Sequence, residues 1–504
     1  MPISGRYMEK NLSEIVFASS DAVESQRIRR WVKAGRIRKI MPRVYTSNST
    51  DSDQAIVSRN LYPILSRLFP GALLSHRTAM EGKPTDSGDI FLTYKYSRKI
   101  ALPGICVRLL KGTGPIEGDT PFLEGLFMSS RPRAFLESLQ ISRRRSGPAK
   151  TLPAVAVEER LDRICQIQGE EALNQLRDKA RTVAGTLKME RPFERLNGMI
   201  GAILRSRPAT GLSSSQARAR SRGVPYDPQR LEIFNRLFAG LAQTPLPARR
   251  ENRVSFKEIR LLTFFEAYFS NYIEGTEFEI AEAYDIVFKH KIPAKRPQDA
   301  HDILGTFSVV SNRDGMLRTP GSFEDFLALL QSRHHEAMGG RPDKQPGEFK
   351  QEPNRAGETL FVAPDLVKGT LLKGFEMYGA VEAGLARSIF MMFLVAEVHP
   401  FADGNGGVAR VMMNAELVSH GLCRALVPTV LRDDYLVALR ALSRSNNPEP
   451  LVKVMDFAQR FSAELTMASY EDAVKLLTGC NAFKEPDEAR LRLPSSLPGS
   501  VSGG

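Results

Sequence analysis

Three consecutive stretches, ARSIFMMFLVAEV (386–398), HPFADGNGG (399–407) and VARVMMNAEL (408–417), decide how the C-terminal half of this chain folds. The first and third are apolar nearly all round, which predicts two buried helices. The nine residues between them are polar and glycine-rich. A loop between buried helices must satisfy its own backbone groups or offer them to a ligand. Phosphate suits it: Gly404, Asn405 and Gly406 let backbone N–H groups approach an anion closely, and the following helix aims its positive dipole end at the same point. Asp403 can give one carboxylate to Mg²⁺, and a neutral His399 can take a proton from an attacking hydroxyl. Arg410, one turn into the helix, can reach phosphate oxygens bidentately.

Working outward, helical patterns dominate from about residue 227 to 477, and residues 481–504 have the composition of a disordered tail. Upstream of 227, RPATGLSSSQARARSR (207–222) reads as a linker, placed at 206–226. Residues 56–205 are mixed α/β in texture, with DIFLTYKY and GICVRLL as buried strands. Residues 1–55 predict a small basic unit. Ile28, Trp31 and Val32 share a helical stripe, Gly35 stops the helix, and RIRKI and RVYTS form a wing. Between Glu24 and Arg43 stand eight basic residues and one acidic residue. The expected fold is therefore multidomain and mainly α. It comprises a winged helix-turn-helix, an α/β middle region, and an all-helical core (227–480) with a short β-hairpin flap.

The chain has 504 residues, 42% hydrophobic and 25% charged, with a net charge of +13. That excludes wholesale disorder and favours a polyanionic partner. Four cysteines, Cys106, Cys165, Cys423 and Cys480, are far apart and lack CxxC spacing, as for reduced thiols. The N-terminus lacks a signal-peptide core and no apolar run is long enough to span a bilayer, so a cytoplasmic protein without a membrane partner is expected.

HPFADGNGGVAR resembles the Fic signature HxFx(D/E)GNGRxxR in every specified position but one. The resemblance implies a protein adenylyltransferase that moves AMP from ATP to a hydroxyl of a Ser, Thr or Tyr on a target protein or on itself. It makes His399 the general base, Asp403 the Mg²⁺ ligand, and Gly404, Asn405 and Gly406 the phosphate anchor. Phe401 fixes the loop and Arg410 binds the terminal phosphates. The departure is Gly407, where the family has arginine. Losing one charge-assisted contact costs about 1.5–3 kcal/mol of nucleotide or transition-state binding. Upstream, Ser270-Asn-Tyr-Ile-Glu274-Gly275 resembles the inhibitory motif (S/T)xxxE(G/N) of many Fic proteins. There the resemblance implies that Glu274 pairs with Arg410 and fills the γ-phosphate space. Gly347-Glu-Phe-Lys350 and ETLFVAP (358–364) resemble the segment before the core and the flap that aligns a target strand. His334 and His335 read as solvated helix-end histidines, and Asp433, Asp434 and Tyr435 as a helix start.

Residues 10–200, with Ser75-His-Arg-Thr-Ala79 the most telling stretch, resemble AbiEi-type antitoxins of toxin–antitoxin systems. That likeness implies duplex DNA as a partner, contacted by Gln26, Arg27, Arg29, Arg30 and Arg38. Two functions follow: an adenylyltransferase braked by Glu274 and coupled to a DNA-binding domain, or a DNA-binding regulator with a weak or inactive Fic domain. A homodimer is left open.

Overall fold

The computed structural model describes residues 12–141 and 148–497. Contacts divide the chain into two units, 1–222 and 223–504.

The first unit opens with β1 (Ile15–Phe17), α1 (Ala22–Lys33), β2 (Arg38–Met41) and β3 (Val44–Thr46), the strands forming an antiparallel sheet in the order β1-β3-β2. Asp21 caps α1 by accepting from the Glu24 N–H, and Arg43, at φ 69°, turns the β2–β3 hairpin. A helix and a hairpin are present here. Only one helix lies between residues 12 and 52, however, and the stretch before residue 12 is outside the described residues. Of the expected stripe, Ile28 is buried, but Trp31 is half-buried and Val32 is exposed. Nor do residues 1–55 stand apart. Ile15 and Val44 share one apolar cluster with Ile56, Leu65, Leu92 and Val107, because so short a sheet has too little area for a core of its own.

After α2 (Asp53–Arg59) and α3 (Leu61–Leu68) comes a mixed six-stranded sheet. It contains β4 (Leu73–Leu74), followed by α4 (His76–Glu81), then β5 (Asp89–Tyr94), β6 (Arg98–Leu102), β7 (Ile105–Lys111), β8 (Thr120–Phe122) and β9 (Leu126–Met128). The order is β6-β7-β5-β4-β9-β8, with β5 parallel to β7. Ser75–Ala79 locks α4 to this sheet: the Phe91 N–H donates to Thr78 Oγ1 at 2.8 Å, and the His76 N–H to Glu137 at 2.8 Å. Four helices follow: α5 (Arg131–Ser138), α6 (Ala154–Leu187, broken at Gly169), α7 (Glu190–Ile203) and α8 (Ser215–Ser221). Much of the expected linker is therefore folded. Ser214 caps α8, and Glu158 accepts from the N–H groups of Ser213 and Ser214 at 2.8 and 2.6 Å.

The second unit is helical, as its periodicity predicts. It contains α9 (Pro228–Gln243), α10 (Phe256–Ile273), α11 (Ile280–Lys289), α12 (Pro297–Ser311), α13 (Arg313–Leu317) and α14 (Phe323–Ala337). A small hairpin follows, β10 (Arg355–Ala356) and β11 (Thr359–Leu360), where the flap was expected. Next come α15 (Val367–Tyr378), α16 (Leu385–Val398), α17 (Asn405–Ser419), α18 (Arg432–Ser445), α19 (Glu449–Glu464) and α20 (Tyr470–Gly479). The two apolar stretches are α16 and α17, packed against each other at the centre of the main apolar cluster. The tail is ordered through residue 497. Leu491, Leu493 and Leu497 pack on an apolar cluster, and the Arg492 N–H donates to the Cys480 carbonyl, so its polar composition misled; residues 498–504 lie outside the described residues. All four cysteines are free. Among the described residues no helix is long and apolar enough to cross a membrane.

Candidate active site

The loop between α16 and α17 is held by bonds that its sequence only partly advertises. His399 caps α16 in the left-handed region, φ 54°, its N–H donating to the Val395 carbonyl. Its Nδ1 lies 3.1 Å from the Ala396 carbonyl, which can only accept. Nδ1 therefore carries the proton and Nε2 is left with a free lone pair. Phe361, just after β11, stacks on the imidazole at 3.7 Å. Burial, with a smaller contribution from nearby Lys350, pushes the His399 pKa down to about 4, so the ring is neutral at pH 7.

Asn405 staples the loop. Its Oδ1 accepts from the Phe401 N–H at 2.8 Å and its Nδ2 donates to the Phe401 carbonyl at 2.9 Å. That side chain is buried and occupied, so what Asn405 can offer an anion is its backbone N–H and not its amide. Phe401 is fully buried between Phe349 and His334, the latter stacked at 3.7 Å. His334 is no solvated helix end. Its Nε2 donates to the Asp403 carbonyl at 2.9 Å, its Nδ1 accepts from the Gly347 N–H at 2.9 Å, and burial lowers its pKa to about 4. His335, which is exposed, lies against the Pro346 carbonyl. Lys350 is a further brace: buried, its Nζ donates to Asn354, which bonds the Phe401 carbonyl. Desolvation brings the Lys350 pKa down to about 8. His334 was missed because a lone histidine 65 residues before His399 carries no local signal.

At the head of α17, Gly404 adopts φ 69° under Met338, whose sulfur would collide with a Cβ there. The first-turn N–H groups of Asn405, Gly406 and Gly407 are the ones that a helix leaves unpaired. Against them lies an anion from within the chain. Arg410 Nη2 donates to Glu274 Oε1 at 2.7 Å and to the Ser270 carbonyl at 2.9 Å, while Nε donates to Ser270 Oγ at 3.1 Å. A Cβ built on Gly406 would lie 3.2 Å from the Glu274 carboxyl carbon and closer still to Oε1. Glu274 ends α10, and Gly275, at φ 89°, turns the chain away behind it. Burial works against the charge of Arg410, which is 5% exposed, but Glu274 outweighs it and keeps the guanidinium protonated. Tyr435, buried at the start of α18, lies under that guanidinium at 5.9 Å.

Asp403 is exposed. Its Oδ1 accepts from the Gly404 N–H at 2.8 Å, and none of the described bonds uses Oδ2. One free carboxylate oxygen beside an anion slot fits Mg²⁺, which takes few protein ligands and shares phosphate oxygens. Among the described residues no group of three or more His, Cys, Asp or Glu could hold a metal without such help.

The expected DNA-contact residues lie in the first unit. Gln26, Arg27, Arg29 and Arg30 are exposed on α1, with Arg27 stacked on Trp31 at 4.9 Å. Arg38 does not join them. It donates to the carbonyls of Asn48 and Asp51 and pairs with Asp53, holding the loop before α2, so its role is structural.

A model of the Fic/DOC family matches residues 325–417, which include the loop and Arg410 but not Glu274. A Fido domain-containing protein of Dictyostelium discoideum is 27% identical over 103 residues, 19% of this chain and 72% of its own length. Protein adenylyltransferase fic-1 of Caenorhabditis briggsae is 22% identical over 222 residues, 43% of each chain. A probable protein adenylyltransferase of Aquifex aeolicus is 28% identical over 125 residues, 25% of this chain and 36% of its own. This chain thus spans less than half the length of the two adenylyltransferases. Among solved structures, a fragment of Caenorhabditis elegans Fic-1 aligns with 64% of this chain and 97% of its own at 15% identity, with a TM-score of 0.37.

Removing the His334 ring deletes two buried hydrogen bonds and the stack on Phe401. His334→Ala is expected to lower unfolding stability by about 2–4 kcal/mol in urea denaturation. An unchanged midpoint would show that the loop does not depend on this brace.

Proposed function

Because residues 325–417 form a Fic/DOC family domain, we propose that the chain transfers AMP from ATP to a protein hydroxyl and that Glu274 restrains the reaction. The observation that carries this reading is the Glu274 carboxylate held by Arg410 against the first turn of α17. An anion-binding slot is thereby filled by the chain's own anion. A triphosphate and a carboxylate compete for one guanidinium, and like charges exclude each other.

Each remaining part takes a role from its geometry. The N–H groups of Asn405, Gly406 and Gly407 and the Arg410 guanidinium hold the phosphates once Glu274 has left. Asp403 would hold Mg²⁺, which when bound offsets phosphate charge. Nε2 of His399 takes the proton of the target hydroxyl as its oxygen bonds to the α-phosphorus. The α–β phosphoanhydride bond then breaks and pyrophosphate leaves. The Nδ1 bond to Ala396 and the Phe361 stack hold the ring in one orientation for that step. The flap aligns the target. Its exposed strands can add an extended peptide as a further strand, and Arg444 secures Thr359 Oγ1 at 2.8 Å.

We propose a second role for the first unit, binding duplex DNA in the manner its likeness to AbiEi-type proteins implies. The supporting observation is that Gln26, Arg27, Arg29 and Arg30 all lie exposed on one short helix. Basic side chains so placed can meet phosphates while Gln26 reaches a base edge.

Incubation with labelled ATP and Mg²⁺ tests the first reading. Glu274→Gly should raise label on protein well above wild type, and adding His399→Ala should cut it by about 10²-fold or more. Since His399 is depressed to about 4, activity of Glu274→Gly should hold as pH falls through 6.5 and drop only near 4. No label from Glu274→Gly, or label indifferent to His399, would overturn the proposal. Duplex affinity should fall steeply with salt and be lost when Arg27, Arg29 and Arg30 are changed to Glu; affinity unaffected by those changes would remove DNA binding from α1.

A further inference from the structure

Position 407 faces open space. A Cβ built on Gly407 meets nothing within 4 Å, so no neighbouring side chain has grown in to fill the place. Beside it lies a cavity of about 200 Å³ lined by Glu274, Asp299, Asp302, Arg341, Asp403 and Gly407, among others. Of the residues lining it, Arg341 alone carries a positive side chain. It stands on the turn after α14, where its N–H donates to the Met338 carbonyl at 2.9 Å, and Met338 packs on Gly404 of the loop.

The Arg341 guanidinium is already ordered. Its Nε donates to Asp302 Oδ1 and Oδ2 at 3.0 and 2.8 Å, and its Nη2 to Asp302 Oδ2 at 2.6 Å and to Asp299 Oδ1 at 2.9 Å. None of the described hydrogen bonds uses Nη1. Asp302 is itself buried and held by α12, so the edge of the guanidinium facing the two aspartates is fixed and its remaining nitrogen is available. A guanidinium clamped on one edge by carboxylates gives up little side-chain freedom when it meets a ligand on the other. Gly407 and Arg341 line the same cavity, so Arg341 is a candidate substitute for the arginine that the loop lacks.

We propose that Arg341 supplies, from outside the loop, the positive contact to the distal phosphates of the nucleotide that Gly407 does not. This rests on the nucleotidyl-transfer reading above and adds to it how this chain prefers a triphosphate over a monophosphate. Arg410 serves one phosphate through the head of α17, and Arg341 meets the chain of phosphates from the cavity beside Gly407. The bland alternative is an ion pair that merely ties the turn to α12.

Calorimetric titration of the full chain carrying Glu274→Gly, with Mg²⁺ and either ATP or AMP, separates the two. Arg341→Ala should weaken ATP by roughly ten-fold or more and leave AMP unchanged, since AMP has no distal phosphates. Gly407→Arg added to Arg341→Ala should restore most of the ATP affinity. Should Arg341→Ala fail to fold, Arg341→Lys, which keeps a charge for the aspartates but loses the fork, should show the same selective loss in smaller degree. Equal losses for ATP and AMP, or no loss, would overturn the role of Arg341 alone. Failure of the Glu274→Gly chain to bind either nucleotide would instead overturn the nucleotidyl-transfer reading and this inference with it.

Discussion

A buried positive charge is stable only where polar groups meet it, and beside the loop that charge is Arg410. It is 5% exposed, lies on α17 and has no aqueous route to neutralisation. Glu274 and Ser270 meet it from α10, and the two helices are tied again one turn further on. There Glu266 accepts from Asn414 at 2.8 Å and from Arg424 at 2.6 Å. The register of α10 against α17 is thus set by two carboxylates, of which only Glu274 faces the cavity. The first requirement of this arrangement is an anion at the head of α17; which anion sits there is open to competition.

The other end of the loop is built differently. His399 is kept neutral by burial and aimed by one backbone carbonyl and one aromatic ring, with no carboxylate partner. Loop shape comes from Asn405 and His334, which bond backbone groups directly, and from Lys350, which acts through Asn354. The nine-residue loop thus carries an ion pair at one end and a neutral, buried imidazole at the other. The flap hangs beside the base, where Phe361 links its position to the His399 ring.

Much of this was legible. The apolar runs announced α16 and α17, the glycines and polar residues announced the loop, and the resemblance of Ser270–Gly275 to the Fic inhibitory motif implied the Glu274–Arg410 pair that the structure brings together. What stayed hidden depends on chain-distant partners. His334 and Arg341 lie tens of residues from what they touch, and nothing in their neighbours' composition distinguishes them from surface residues. Composition also misled where local polarity was overridden by packing. The Ser- and Arg-rich stretch before residue 222 forms α8 because Ser214 caps it and Glu158 anchors the backbone just ahead of it, and the polar tail is pinned by three leucines. Arg38 reads as a groove contact in a basic run, yet a loop ten residues on claims its donors. The departure at Gly407 was legible as a loss; only the structure shows that another arginine lines the cavity beside it.

The central claim is that Glu274 sits where phosphate belongs. A crystal structure of the Glu274→Gly chain with ATP and Mg²⁺ tests it most directly. The account predicts phosphate oxygens within hydrogen-bond distance of Arg410 and of the N–H groups of Asn405 and Gly406, in the space the carboxylate now fills. A nucleotide bound elsewhere, with the head of α17 left to solvent, would contradict it.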